Sequence, residues 1–155
     1  MIDSLLSKLR NAIEGISPSG EAIARRDALA VQSACCSLLM EVARIDPADG
    51  GQKREAVALA MRERFALREE DSASMIANAG KGENRLTSYY EPVALINRHC
   101  SPGEKVSFIE QLWRVAAADG QIDAYEDELV RKLADLLYVE HADFILAKHR
   151  VLNGR

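Results

Sequence analysis

The chain is short of aromatic side chains: three Phe, one Trp and four Tyr make up 5% of its 155 residues. A core must therefore be filled with Ala, Leu, Val and Ile, and Ala and Leu are strong helix formers. Cysteine is scarce and odd in number, with Cys35, Cys36 and Cys100 at no zinc spacing. Adjacent Cys35 and Cys36 leave a helix in different directions, so neither a metal knuckle nor a disulfide framework is expected. Buried thiols in a reducing compartment are the reading they support. No apolar run approaches the roughly 18 residues of a membrane span. Residues 1–10 also lack the basic start and continuous apolar centre of a signal peptide. The expectation is a cytoplasmic protein that does not insert into membranes.

Positive charge is not in excess either. Twenty Lys and Arg against 24 Asp and Glu leave a formal net charge of −4, which excludes general nucleic-acid binding through a basic face. Arg62, Arg64 and Arg68 alternate with Glu63, Glu69 and Glu70, the pattern of a solvated helix face and not of a phosphate track. A Gly-rich phosphate loop, a nucleophile elbow and a triad order are all missing. His99, His141 and His149 form no zinc motif. No catalytic residue is assigned, and a hydrolase working through clustered carboxylates is the least favoured functional reading.

What is present is helical periodicity. At 48% hydrophobic and 28% charged residues, the chain has the composition and length of one globular domain over 1–155. Ile2, Leu5, Leu6, Leu9 and Ile13 mark an amphipathic helix over 1–14, ended by Gly15 and Pro18. It is expected to pack on the domain, with an interface as the other use of its apolar face. A long helix over 20–46 carries Leu29, Cys35, Leu38, Leu39, Val42 and Ile45 on one side. It stops at Asp46-Pro47-Ala48-Asp49-Gly50-Gly51. A helix over 53–66 follows, with Val57, Ala60, Met61 and Phe65 inward, and another spans 69–80. The stretch 79–85 reads as a flexible connector.

Ser88 is placed to cap a helix over 89–98, with Pro92 in its first turn. Ser101-Pro102-Gly103-Glu104 opens a helix over 102–118, in which Phe108 and Trp113 lie at core spacing. Further helices span 124–138 and 141–152, and no segment alternates like a strand. The predicted fold class is all-α: a compact single-domain bundle of about seven to eight helices.

The halves of this pattern superimpose. Leu39, Val42 and Ala43 fall on Leu112, Val115 and Ala116 at one constant offset. Val57, Met61, Phe65 and Leu67 fall on Leu129, Leu133, Leu137 and Val139 at an offset shorter by one position. That difference sits in the turn, where a length change costs least. An internal pseudo-repeat of helix–acidic turn–helix–helix is predicted, with copies over 28–80 and 86–152.

The second turn reads Ala118-Asp119-Gly120-Gln121-Ile122-Asp123-Ala124-Tyr125-Glu126. With Asp119 at position 5 of an EF-hand loop, Gly120, Ile122 and Glu126 occupy positions 6, 8 and 12. Positions 1 and 3 would then be Val115 and Ala117, whose side chains carry no oxygen, so half of a calcium loop is missing. The same residues suit a helix–helix turn. Asp123 and Glu126 form a capping box, Gly120 takes the left-handed conformation, Ile122 packs on the new helix, and Asp119 accepts a backbone donor. Asp46, Asp49 and Glu55 flank the first turn, with Glu41 just before it. Carboxylates gathered around two turns repel unless exposed or neutralised, which leaves a shared Ca²⁺, Mg²⁺ or Mn²⁺ site as the second reading.

The run Val115-Ala116-Ala117-Ala118-Asp119-Gly120-Gln121-Ile122-Asp123, with Glu126, Leu129, Leu133 and Leu137, resembles the TerB family of tellurite-resistance proteins. Glu41-Val42-Ala43-Arg44-Ile45-Asp46 with Glu55 forms the weaker first copy. A related domain precedes the J-domain of a membrane-anchored co-chaperone; neither that domain nor an anchor is expected here. The resemblance implies a helical, non-enzymatic protein of tellurite or metal and envelope stress, acting through protein partners, some membrane-associated, or as a homodimer. It implies Asp119, Asp123 and Glu126 as acidic metal positions, with Asp46 and Glu55 in the first copy and no other cofactor. The chain departs from that pattern at Pro47, and Arg54 stands where the repeat would place Glu126. A purely structural adaptor without metal is the alternative.

Overall fold

A computed structural model describes residues 5–6, 18–45 and 51–154. Of the expected helix over 1–14, only Leu5 and Leu6 fall within these bounds, helical and exposed. Among the described residues there are seven α-helices and no strand. They are α1 (Pro18–Ala43), α2 (Gln52–Phe65), α3 (Glu69–Ala79), α4 (Tyr90–His99), α5 (Pro102–Ala116), α6 (Ala124–Leu136) and α7 (His141–Asn153). The all-α fold class holds.

Two helices form the axis of the molecule because their sequences are apolar on more than one face. The C-terminal half of α1 buries Cys35, Cys36, Leu38, Leu39, Met40 and Val42, and α5 buries Phe108, Ile109, Leu112, Trp113, Val115 and Ala116. Such a helix needs neighbours on several sides. Accordingly α1 packs against α2, α3, α4, α5 and α6, and α5 against α1, α2, α6 and α7. The outer helices bury one stripe each: Val57, Ala60, Met61 and Phe65 of α2, and Val130, Leu133 and Ala134 of α6.

Three local expectations are corrected. Leu29 is 63% exposed, because the first turns of α1 extend beyond the packed half of the helix. The stretch 79–85 is not an open connector: it contains a 3₁₀ turn, Gly82–Asn84. Asn84 Nδ2 donates to the Asn78 carbonyl at 2.9 Å, and Arg44 donates to the carbonyl of Ala79. Nor is Arg64 only part of a solvated face. Its Nε donates to Gln111 Oε1 at 2.6 Å while its guanidinium lies 5.4 Å from the Phe108 ring centroid. Buried Gln111 then donates to the Ala60 carbonyl at 3.1 Å, so an amide and a guanidinium clasp α2 to α5.

Helix ends follow their local chemistry. Ser101 and Glu104 form a capping box at α5, with Pro102 at the first helical position. Helix α2 ends at Ala66 (φ 52°) and α6 is followed by Tyr138 (φ 58°), two non-glycine residues in the left-handed region. The sequence alignment of the halves sets these two positions opposite each other, a likeness of local backbone. Of the turn expected over 46–51, residues 46–50 lie outside the described residues; Gly51, at φ 88°, leads directly into α2.

Candidate functional site: the acidic turn between α5 and α6

Helix α5 ends in a tightening spiral. Ala117 N–H donates to the Trp113 carbonyl at 2.9 Å, Ala118 to Val115 at 3.2 Å and Gly120 to Ala117 at 2.9 Å. Gly120 then takes φ 93°, a conformation L side chains adopt only with strain. The chain turns, and Asp123 starts α6 with the predicted capping box. Asp123 Oδ1 accepts from Glu126 N–H at 2.8 Å, and Glu126 Oε1 accepts from Asp123 N–H at 3.3 Å. Asp119 Oδ1 accepts from Gln121 N–H at 3.1 Å. Each of these turn functions was legible in the sequence.

A residue that sequence reasoning passed over occupies the centre. Lys53, in the first turn of α2, has a side chain with 0% exposure, and its Nζ lies 2.8 Å from Glu126 Oε2 and 3.5 Å from Asp119 Oδ2. Both carboxylates divide their oxygens in the same manner: one holds the backbone of the turn and the other faces the ammonium. Lys53 comes from the first half of the chain and the carboxylates from the second, so the group ties the halves together. A signal for it was available. Lys53 stands one helical turn before Val57 and two before Met61, on the apolar stripe of α2. Glu126 stands one turn before Val130 and two before Leu133, on the stripe of α6. Opposite charges on two inward stripes are a pairing signal.

The electrostatics of the two acids differ. The Gln121 N–H is the main reason that Asp119 lies below its ordinary value, and Lys53 adds to the effect. Glu126 is pushed above its ordinary value, because burial outweighs the attraction of Lys53 and the donated Asp123 N–H. One ammonium between two carboxylates leaves the trio an excess of negative charge.

The sequence-predicted metal positions therefore divide. Asp119 and Glu126 meet at Lys53, with Asp123 joined to them through the capping box. Glu55 lies on the exposed face of α2 while Lys53 lies on its buried face. Asp46 is outside the described residues. Val115 and Ala117, where an EF-hand would need oxygens, are buried in the core. Among the described residues no three His, Cys, Asp or Glu converge to hold a metal ion. Glu41, before the first turn, is also neutralised by basic side chains: it is paired with Arg44 and with Arg85 at 3.9 Å.

Sites for other chemistry are less developed. His141 and His149 are exposed, with the His141 ring 5.9 Å from that of Phe144. A surface cleft of about 430 Å³ between α5 and α7 is bordered by Glu110, Asp143 and Arg150. Its Glu110 is already paired with Arg150 at 2.7 Å. The cysteines are free thiols. Burial pushes Cys35 up to about 12 and Cys36 up to about 11, far from the thiolate a nucleophile or soft-metal ligand requires.

The turn, its capping box and the helices around it all lie within one family match. The family described as tellurite resistance protein TerB matches residues 32–149 of the chain. The chain belongs to the TerB family. The matched region takes in α2 to α6 entire, the C-terminal part of α1 and most of α7, and therefore both Lys53 and the acidic turn. No curated protein and no solved structure matches the chain. No described helix of this TerB-family protein is long and apolar enough to cross a membrane.

Proposed function

We propose that this TerB-family protein is a non-enzymatic interaction protein of tellurite or metal and envelope stress, working in the cytoplasm through protein partners, including membrane-associated ones. Family membership supplies the stress context. The observation that carries the mode of action is the internal pairing at the acidic turn. Lys53 already engages the inward oxygens of Asp119 and Glu126, so the turn serves as a structural joint and recognition falls to the surface. The reading in which Ca²⁺, Mg²⁺ or Mn²⁺ tunes the protein at Asp119, Asp123 and Glu126, with Asp46 and Glu55, requires the ion to displace that ammonium. The metal-free adaptor form is therefore the one preferred.

The test is genetic. Deleting the gene in its source organism lowers tolerance to tellurite or to envelope and metal stress, and the intact chain restores it. Unchanged tolerance to all of these stresses would contradict the reading. Restoration should survive Glu110→Gln and Asp143→Asn in the cleft, because no reaction is assigned to those carboxylates.

A further inference from the structure

We propose that Lys53 is the resident cation of the acidic turn: its ammonium takes the place of a divalent ion and locks α2 of the first half to the α5–α6 turn of the second. Three observations carry this. First, a lysine side chain with no exposure is rare and needs a compensating charge, and Lys53 has Glu126 at 2.8 Å and Asp119 at 3.5 Å. Second, the oxygens facing it belong to the same carboxylates that fix the turn, Asp119 through Gln121 N–H and Glu126 through Asp123 N–H. The ammonium therefore senses the shape of the turn, and the turn positions the ammonium. Third, Ca²⁺ takes six to eight oxygens and Mg²⁺ holds near-octahedral geometry. In the α5–α6 turn one oxygen of Asp119 and one of Glu126 face inward, and the backbone holds the other of each.

An ion entering the turn would also have to drive the ammonium of a fully buried side chain away from Glu126. The lock thus excludes small divalent cations from the turn instead of recruiting them. It rests on the metal-free form of the proposed function: its failure would return the choice to the cation-tuned form and leave the stress context, which the genetic test reads, untouched.

The experiment is thermal melting of the full chain in EDTA and in millimolar Ca²⁺, Mg²⁺ or Mn²⁺, alongside Lys53→Met and Lys53→Arg. The wild-type midpoint should stay within about 1 °C in every ion, whereas a bound ion far above its Kd raises it by several degrees. Lys53→Met should lower the midpoint by about 10 °C, and Lys53→Arg by less, because it keeps the charge but not the shape. An ion-dependent rise in the wild type, or a Lys53→Met midpoint equal to the wild type, overturns the proposal. Should Lys53→Met not fold, amine labelling of the native wild type decides. Lys53 should be protected about 100-fold or more relative to exposed Lys81, and equal labelling of the two overturns the lock.

Discussion

At the scale of the residue, the acidic turn shows how one side chain changes the meaning of a motif. Asp119, Gly120, Asp123 and Glu126 were each legible as turn and cap residues from their spacing. Lys53 was not, because it lies in the other half of the chain and local periodicity reports faces, not partners. Titration of the two acids gives opposite pH windows. Asp119 is lowered below 3.8, so its stabilisation is present above that value and is lost as pH falls through the folded-state pKa. Glu126 is raised above 4.5, so folding favours its protonated form. Its stabilisation is present below 4.5 and lost as pH rises through the raised value. Urea unfolding across a range of pH should therefore show a weaker acid loss for Asp119→Asn. For Glu126→Gln the decline that this acid contributes above 4.5 should disappear. Identical profiles for both variants and the wild type would contradict these assignments. The thiols belong to this scale as well: Cys35 and Cys36 should resist a thiol reagent at mildly alkaline pH until the protein is unfolded, and rapid native labelling of both would show that they are accessible.

At the scale of the element, most helix boundaries could be read because each end has its own local chemistry. Ser101 and Asp123 start α5 and α6 with side-chain caps, and replacing either by Ala should cost about 1 kcal/mol. Gly120→Ala places a Cβ on a φ of 93° and should cost at least about 1 kcal/mol through backbone strain alone, since the space around it is open. Ala66 presents the converse case: at φ 52° it stands where glycine is favoured. Ala66→Gly should be neutral or stabilise by up to about 1 kcal/mol. A clear loss in chemical denaturation would mean that its methyl group matters more than its backbone. What sequence missed at this scale has physical reasons. Leu29 fits the apolar stripe of α1 but lies on the turns that extend past the packed half. Arg64 looked solvated because its partner Gln111 is remote in sequence, on α5. The segment 79–85 carries two glycines that suggest looseness, yet Arg44 holds the Ala79 carbonyl and the Asn84 side chain ties the segment back to Asn78 of α3.

At the scale of the whole molecule, the two axial helices and the Lys53 group do different work. Burial on α1 and α5 supplies cohesion: Leu112→Ala, at the centre of α5, should cost about 2 to 5 kcal/mol. The buried ion group supplies little net stability, because desolvation offsets much of the attraction, but it fixes how the halves meet. The all-α class followed from composition and periodicity. The joint did not, since it depends on which stripe of one half faces which stripe of the other. A double-mutant cycle on Lys53→Met and Glu126→Gln, measured by urea unfolding at neutral pH, tests this joint most directly. The account predicts a loss of about 3 to 5 kcal/mol for Lys53→Met, which leaves buried Glu126 without its cation, and recovery of at least about 2 kcal/mol when Glu126→Gln is added. Losses that add to within about 0.5 kcal/mol would show that Lys53 and Glu126 act separately, and would contradict it.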